Sequence, residues 1–276
     1  MTAEPMPLPN IQKQEIINYL KEGKRLDGRG VADYRDVEIK IRISKKAEGS
    51  CSVKMGETEV YCGIKMGVSA PYPDGPEEGT MMVSAELGPL ASEDFEMGPP
   101  RINSIELARI IDRGIRESGF IDFKKLCIKE GEKVWTVFID LYPINDDGNL
   151  LDAAGLAALI ALGQAKMPVY DEETDKIDFE THKGDLPLNK DVMSFNTTFF
   201  KIGDNFIIDP TSEEELASDF RISIAVGSDK GKPRITAIQK GESVALSQED
   251  FEKVLELVEK NFKAMFPKIE KYVWGK

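Results

Sequence analysis

The sequence predicts an α+β fold in which mixed β-sheets pack against helices. Three observations lead to this prediction. Short β-prone segments alternate with segments of helical period, so strands and helices interleave along the chain. Hydrophobic residues make up 41% of the 276 residues, which is enough for a sizeable core. The sequence contains no internal repeat, low-complexity tract or linker, and we therefore expect one domain over residues 1–276.

The N-terminal part is predicted to begin with a helix and to continue into a hairpin. The helix spans about residues 10–21 with Asn10 as its N-cap, and the polar segment "KRLDGRGVADYR" follows as an irregular connector. Clean alternation makes "DVEIKIRI" a half-buried strand. The segment "GSCSVKMGETEVYCGIKMGV" predicts two strands around a turn at residues 56–58, an arrangement that could bring Cys51 opposite Cys62.

The middle of the chain is predicted to alternate between strands and two helices. A loop rich in Pro and Gly, "SAPYPDGPEEGT", precedes the strand "MMVSAEL". The helix "IELARIIDRGIRESG" follows, then the β-prone strand "KVWTVFIDLYPI". The helix "LLDAAGLAALIALGQA" is apolar most of the way round, so we expect it to pack on more than one side. The buried stripe of the first of these helices is predicted to be Ile105, Ala108, Ile111 and Ile115.

The C-terminal part is predicted to hold short strands and a closing helix. The β-prone segments are residues 194–201, 205–209, 221–227 and 234–239. The helix covers about residues 247–266. Ser247 begins it, with Asp250 three residues on, which is close to a capping box.

The charge balance excludes some classes of protein. The formal net charge is −13, so the overall field repels phosphate and disfavours broad, non-specific binding to nucleic acid, while a local basic site stays open. No apolar run approaches the roughly 18 residues of a membrane span. The N-terminal stretch lacks the basic and apolar regions of a signal peptide, so we expect a cytoplasmic protein without membrane contact. Few amide side chains beside abundant Glu and Lys are consistent with a thermophilic source.

One predicted helix carries a local exception to this acidity. Arg109, Arg113 and Arg116 stand at i, i+4 and i+7, within an arc of about 60° at 100° per residue. Two interpretations stay open. Glu106 and Asp112 lie three and four residues before Arg109 and Arg116, the spacing of ion pairs on a helix surface. Alternatively, the guanidinium groups bind the phosphates of a confined polyanion, since the planar fork of arginine contacts two oxygens at once.

The sequence offers little conventional catalytic chemistry. The only histidine, His182, lies in a polar stretch and is expected to be an exposed loop residue rather than a base or a metal ligand. Three cysteines without a CxxC pair disfavour a disulfide scaffold and a zinc site. We therefore expect neither a metal nor a cofactor.

Two acidic segments allow two interpretations each. In "NDDGNLLDA" a glycine turn opens a helix, which suits an anion, but Asp146 and Asp147 stand immediately before it. Like charges about 4 Å apart cost on the order of 4 kcal/mol at an effective dielectric of 20, so these acids fit better as caps of the helix. The run "DPTSEEE", residues 209–215, could bind magnesium or supply a general acid. More often such a run is a solvated turn before a helix.

Several of these segments together resemble the RNase PH family, and the likeness extends nearly from end to end. The segments are "KRLDGRGVADYRDVEI", "INSIELARIIDRGIRES", "DDGNLLDAAGLAALIAL" and "DPTSEEE". The pairing of "GNLLDA" with "DPTSEEE" is typical of the branch that provides non-catalytic subunits of the archaeal exosome. The resemblance implies a core of two similar βαβα halves with mixed sheets and packed helices. It also implies a hexameric ring, a trimer of heterodimers in which this chain alternates with a catalytic RNase PH-like subunit, together with RNA-binding cap subunits and 3′-to-5′ phosphorolysis of single-stranded RNA.

Three places depart from the active members of the family. Where active members carry an arginine pair, residues 102–103 are Ile-Asn. Where they bind phosphate through Gly-Ser/Thr-Arg, residues 148–150 are Gly-Asn-Leu. Where they place two aspartates six residues apart, an ungapped match gives Glu215 and Arg221, and a gapped match recruits Asp219 instead. The resemblance therefore implies a chain that is not an enzyme by itself.

The resemblance also suggests a role for the arginine helix. A non-catalytic subunit would complete the active site of its paralogue and supply part of the RNA path, with Arg116, Arg113 and Arg109 holding RNA phosphates. The alternative within the family is an active phosphorolytic 3′-to-5′ exoribonuclease. A third possibility is a protein-interaction scaffold that makes no contact with RNA.

Overall fold

The computed structural model describes residues 8–229 and 231–274 of the chain. The described residues form five α-helices, twelve strands and two short 3-10 turns. The helices are α1 (Asn10–Lys21), α2 (Ile102–Arg116), α3 (Leu150–Gln164), α4 (Ser212–Ala217) and α5 (Gln248–Trp274). The strands are β1 (Val37–Ile41), β2 (Gly49–Met55), β3 (Thr58–Ser69), β4 (Thr80–Ala85), β5 (Cys127–Lys129), β6 (Lys133–Asn145), β7 (Lys166–Asp171), β8 (Lys176–Asp185), β9 (Ser194–Ile202), β10 (Asn205–Ile208), β11 (Phe220–Asp229) and β12 (Lys232–Lys240).

The first sheet is mixed and contains the predicted hairpin. Its strand order is β1-β2-β3-β6-β4, with β5 paired to β6, and only β4 runs parallel to its neighbour β6. Cys51 and Cys62 are register partners across the β2–β3 hairpin, and both are buried free thiols. Burial raises the pKa of the Cys51 thiol to about 12, which keeps it protonated and unreactive.

The second sheet is antiparallel with the order β10-β9-β11-β12, and all four of its strands were predicted. The β7–β8 hairpin was not predicted. Because β8 is exposed along almost all of its length, its sequence lacks the alternation that marks a half-buried strand. His182 lies on this hairpin and is exposed, so the expected exposure is confirmed and the expected loop is wrong.

Helix α3 lies at the centre of the molecule. Twelve of its fifteen residues are buried, as expected from its apolar circumference. It packs against β2 and β3 of the first sheet, β9 of the second sheet and helix α5. One hydrophobic core therefore draws on both sheets and on α2, α3 and α5. A smaller cluster joins α1 and α4 to the outer side of β9 and β10.

Three details differ from the predicted helices. Pro9 is the N-cap of α1 and Asn10 is its first residue, so Asn10 makes no capping hydrogen bond. The predicted buried stripe of α2 is confirmed at Ile111 and Ile115, but Ile105 is 45% exposed, and Leu107 and Ile110 are buried as well. Helix α5 continues beyond residue 266 through a proline to Trp274, because Ile269 and Val273 extend its buried stripe. Its predicted start is confirmed, with the Ser247 hydroxyl accepting the Asp250 N–H at 3.1 Å.

No helix in the described part of the chain combines the length and the apolarity needed to cross a membrane.

Candidate nucleic-acid interface

Helix α2 presents its three arginines on one exposed face. Its buried face packs on β4, on α3 and on strands β9, β11 and β12 of the second sheet, so the opposite face is left to solvent. Arg109, Arg113 and Arg116 are all exposed. Arg113 and Arg116 occupy the last turn, where positive charge interacts favourably with the helix dipole.

The ion-pair interpretation holds for one arginine and is wrong for another. Arg116 pairs with Asp112 at 2.6 Å and donates a hydrogen bond to the Met81 carbonyl at 3.0 Å. The hydrogen bond to Asp112 raises the pKa of the Arg116 guanidinium, although partial burial acts in the opposite direction. The negative charge of Asp112 raises this pKa further. Glu106 pairs with Arg221 at 2.8 Å rather than with Arg109. Within the described residues neither Arg109 nor Arg113 forms an ion pair, so both charges remain available to an anion.

The turn before α3 is occupied by the chain's own carboxylates. Residues 148 and 149 both have positive φ, 80° and 57°, so the chain enters the helix through two left-handed residues. The Gly148 N–H donates to Asp146 Oδ1 at 3.1 Å, and the Asn149 N–H donates to Glu215 Oε2 at 2.8 Å. The predicted capping role of Asp146 and Asp147 is wrong, because α3 has Asn149 as its N-cap with no side-chain cap, and Asp146 closes a turn just before it. Glu215 satisfies a second N–H that a bound anion would need.

Burial disfavours the charged forms of Asp146 and Glu215, the two acids that accept these N–H groups. It raises the pKa of the Asp146 carboxyl, and the neighbouring Asp147 charge acts in the same direction. Burial also raises the pKa of Glu215 to about 7, while its hydrogen bond from Asn149 opposes that rise. An additional anion at this helix entrance would meet two carboxyl groups that are already held close together.

The "DPTSEEE" run is not a solvated turn. Thr211 and Glu214 form a capping box that begins α4, but the Asp209 and Glu214 carboxylates are buried. Their partners are three arginines of the connector "KRLDGRGVADYR". We call the five residues together the buried ionic cluster, and its members are Arg25, Arg29, Arg35, Asp209 and Glu214.

The buried ionic cluster ties three distant segments together. Arg25 donates from Nε to Glu214 Oε1 at 2.9 Å and from Nη1 to the Ile208 carbonyl at 2.9 Å. Arg35 binds Asp209 through two nitrogens and reaches the carbonyls of Asp147 and Gly148 at 2.8 and 3.0 Å. Sequence reasoning missed this cluster. The available signal was three arginines concentrated in a twelve-residue connector of an acidic chain.

The two candidates for a second acid position lie in different environments. The Asp219 carboxylate pairs with Lys13 of α1 at 2.9 Å and accepts the Gly203 N–H at 2.9 Å, so it serves the second sheet and α1. Arg221 is the neighbour whose positive charge acts on Glu215. Of the two candidates, Arg221 is therefore the one whose charge acts on Glu215, and it lowers the pKa of that carboxyl group.

Among the residues that the structure describes, no group of three or more His, Cys, Asp or Glu side chains is arranged to hold a metal ion.

Comparison with known proteins assigns the chain to a family. The model for domain 1 of the 3′ exoribonuclease family, RNase PH, matches residues 33–168, and the model for domain 2 matches residues 194–260. The chain belongs to the RNase PH family. The exosome complex component Rrp42 of Thermococcus onnurineus is 46% identical over 245 residues, which is 88% of this chain and 88% of that protein. Rrp42 of Archaeoglobus fulgidus is 42% identical over 250 residues, covering 91% and 92% of the two chains.

Solved structures show the same fold. A chain of the Archaeoglobus fulgidus exosome with RNA bound to the active site superposes with a TM-score of 0.82 at 41% identity, covering 93% of this chain and 98% of that one. A chain of an archaeal exosome core gives a TM-score of 0.79 at 37% identity, covering 95% and 97%. The predicted α+β RNase PH-like architecture is therefore confirmed.

Proposed function

We propose that this chain is a non-catalytic subunit of an archaeal exosome that structures the active site of a catalytic paralogue and helps to bind RNA during 3′-to-5′ degradation. Relatives named Rrp42 and the solved exosome chains support membership of such a complex. The expected partners are a catalytic RNase PH-like subunit in an alternating hexameric ring, RNA-binding cap subunits and single-stranded RNA. We retain cytoplasmic location and thermophilic origin as predictions.

One observation carries the proposal that the chain is catalytically inactive. In active members, according to the family resemblance, phosphate binds at the positions of residues 148–150. Here the Glu215 carboxylate accepts a hydrogen bond from the Asn149 N–H at 2.8 Å, and the Asp146 carboxylate accepts one from the Gly148 N–H. A phosphate would have to displace the Glu215 carboxyl group from the Asn149 N–H and would gain no arginine or hydroxyl from this turn. Arg221, whose charge acts on Glu215, also replaces the expected second carboxylate.

The RNA-contacting role is proposed for Arg116, Arg113 and Arg109. Arg109 and Arg113 are exposed without an ion pair among the described residues, while Arg116 shares its guanidinium with Asp112 and the Met81 carbonyl. The three residues span about 10 Å along the helix at 1.5 Å per residue, which suits one or two phosphates of a single strand. The surrounding net negative charge would discourage RNA from binding elsewhere.

We also propose that the chain forms one domain. The two regions matched by the family models, residues 33–168 and 194–260, contribute to the same hydrophobic core. Helix α3 supports this proposal, since it packs on both sheets.

The function is tested by purifying the chain alone and together with a catalytic RNase PH-like partner. The mass of each sample in solution is measured, and each is incubated with single-stranded RNA and magnesium, with or without phosphate. The isolated chain should release no nucleoside diphosphates, and the mixture should form a hetero-oligomer that degrades RNA only with phosphate. Its interfaces should bury well over the roughly 1,600 Å² of a standard interface.

Two results would contradict the proposal. One is phosphate-dependent release of nucleoside diphosphates that copurifies with the isolated chain and disappears in Glu215→Ala. This result would support the active-exoribonuclease alternative. The other is a monodisperse monomer that does not bind the catalytic partner.

A further inference from the structure

The loop between β3 and β4, residues 70–79, lies at the Arg116 end of the first sheet. Its two ends meet beside the start of β6, where Ser69 pairs with Val134 and Thr80 pairs with Thr136. Arg116 reaches the same place, since it donates to the carbonyl of Met81, just after the loop. The loop and the last turn of α2 therefore border one surface.

Tyr72 is the most exposed aromatic side chain among the described residues, with 59% of its surface accessible. Proline on either side, at positions 71 and 73, restricts its backbone. A turn closes after it through the Gly75 N–H, which donates to the Tyr72 carbonyl at 3.0 Å. The prolines and the turn restrict the backbone that carries this exposed ring, so the ring is available to a flat ligand.

The loop is braced against the segment that follows α2. The Gly79 N–H donates to the Phe123 carbonyl at 2.8 Å, and Lys124 pairs with Glu77 at 3.3 Å. A side chain at residue 79 would collide with the Leu126 Cβ at 2.4 Å, which shows how closely the loop approaches. The loop is thus held in place before any ligand arrives, which lowers the entropy cost of binding.

An aromatic ring and a guanidinium group lie side by side on this surface. Arg116 contacts the segment that follows the loop, through the Met81 carbonyl at 3.0 Å. The Arg116 guanidinium also lies 5.9 Å from the centre of the Phe123 ring. Proteins that bind single-stranded nucleic acid combine such elements, with basic groups on the phosphates and aromatic faces on the bases.

The charge of the loop decides which part of a strand Tyr72 would meet. Asp74, Glu77 and Glu78 follow it within six residues, and all three are exposed. These carboxylates repel phosphate, so the backbone of a nucleic acid would stay on the arginine face of α2. A base has no charge to repel and offers a π-face.

We propose that Tyr72 is a stacking platform for one base of single-stranded RNA whose phosphates lie on Arg113 and Arg116. This inference rests on the RNA-contacting role proposed above for α2. It adds a residue from a different segment and a different kind of interaction, one that depends on the ring face and not on charge.

The experiment uses the full chain assembled with its catalytic partner. The probe is a short oligoadenylate with a single 2-aminopurine, whose fluorescence is quenched on stacking. Tyr72→Ala should weaken binding by about 5- to 150-fold, the range expected when one base loses its stacking partner, and should reduce the quenching. Tyr72→Phe keeps the ring and should bind like the unmodified chain. The salt dependence of binding should be the same in all three, because the same phosphates stay bound to arginine.

Tyr19→Ala is the matched control, because Tyr19 is exposed on α1, which packs on the second sheet away from α2. It should bind RNA normally. The mass of each assembly and its thermal unfolding show that the variants fold. Normal affinity and quenching in Tyr72→Ala would contradict the proposed stacking role of Tyr72. A loss of RNA affinity in Tyr72→Phe equal to that in Tyr72→Ala would contradict it as well.

A comparison with Arg113→Glu/Arg116→Glu separates the two proposals. Weak binding of that variant with normal binding of Tyr72→Ala overturns only the platform. Normal binding of both overturns the RNA-contacting role as well.

Discussion

Asp209 is the residue on which the buried ionic cluster converges. Its φ of 47° is a left-handed conformation that costs a non-glycine residue roughly 1–2 kcal/mol. Its carboxylate is fully buried and accepts hydrogen bonds from Arg29, Arg35 and Asn149 at 2.7 to 3.0 Å. Because a buried carboxylate is stable only when its oxygens are paired, these donors offset both the strain and the lost hydration.

Loss of Arg25 should be among the most damaging single changes in the chain. Arg25 and Glu214 are both buried and pair directly, so Arg25→Ala leaves the Glu214 carboxylate without its main partner. We expect the free energy of unfolding to fall by about 3–5 kcal/mol, measured by urea denaturation.

The exposed Lys263–Glu259 pair on α5 is the control, and Lys263→Ala should change stability little. The double variant Arg25→Met/Glu214→Leu should lose less than Arg25→Ala, because it buries no unpaired charge. Equal stability of Arg25→Ala and Lys263→Ala would contradict this account.

Asp152 gives the fold a pH dependence. It lies in the first turn of α3, where its two oxygens accept the Thr198 hydroxyl at 2.8 Å and the Thr198 N–H at 3.1 Å. Burial raises the pKa of Asp152 from 3.8 to about 7, although the Thr198 hydrogen bonds lower it. A folded-state pKa above the unfolded one means that the folded state binds the proton more tightly.

This difference in pKa between the folded and unfolded states sets the direction in which stability changes with pH. The stabilisation from the bound proton is fully present below pH 3.8 and is lost as the pH rises through about 7. The free energy of unfolding should therefore decline over this window relative to Asp152→Asn, which cannot titrate. Urea titrations of both chains from acidic to neutral pH measure the effect. Parallel curves would mean that Asp152 titrates normally.

At the scale of elements, the α3 entrance depends on the close approach of α4. A Cβ at Gly148 would lie 2.6 to 2.7 Å from backbone atoms of residues 210–212. Thr58 of the β2–β3 hairpin adds a third element, because its hydroxyl donates to the Gly148 carbonyl at 2.7 Å. The entrance is therefore a packed junction of three elements, which agrees with its proposed loss of phosphate binding.

Helix α2 yields the most direct test of RNA binding. Charge reversal in Arg113→Glu/Arg116→Glu should weaken RNA binding by the assembled complex and make its salt dependence shallower, by about one unit of slope for each phosphate that the variant no longer binds. The measurement is RNA affinity over a salt series.

The control is Lys260→Glu/Lys263→Glu on α5, which changes the net charge by the same amount on exposed residues. It should leave the slope unchanged. If the arginine variant keeps both affinity and slope in an intact assembly, the arginines serve only the helix surface.

At the scale of the molecule, the shared core predicts a single cooperative unfolding transition. Trp135 of β6 and Trp274 of α5 report on different parts of the chain. In Trp274→Phe and Trp135→Phe, the remaining tryptophan fluorescence and the far-ultraviolet circular dichroism should change at the same urea concentration. Separate midpoints for the two reporters would show two independently stable domains.

The strength of local pattern decided which elements were predictable. Helix α3 and strand β6 were predicted because a continuous apolar segment has few alternatives to burial. The β7–β8 hairpin was missed because its exposed residues carry no period. In α2 the helix was predicted and Ile111 and Ile115 are buried as expected, but Ile105 is exposed, because the limits of the buried face depend on which neighbours the helix meets.

The same distinction applies to the residues of the site: some could be predicted from local spacing, and others could not. The i, i+4, i+7 spacing of the arginines was sufficient to place them on one face, and their exposure agrees with it. The "DPTSEEE" run was interpreted wrongly because Arg35 lies 174 residues from Asp209 along the chain, and no local pattern reveals that ion pair.

The sequence alone determines the α+β class, the helix that carries the arginines and the likeness to the RNase PH family, because these depend on local periodicity and on short motifs. Only the tertiary structure decides that the connector motif and the "DPTSEEE" motif meet in a buried ionic cluster, that Glu106 pairs with Arg221, and that Glu215 accepts the Asn149 N–H. The physical reason is that the burial and partner of a charged side chain are set by segments far away in sequence. The same carboxylate is a solvated surface group in one environment and a buried ion-pair member in another.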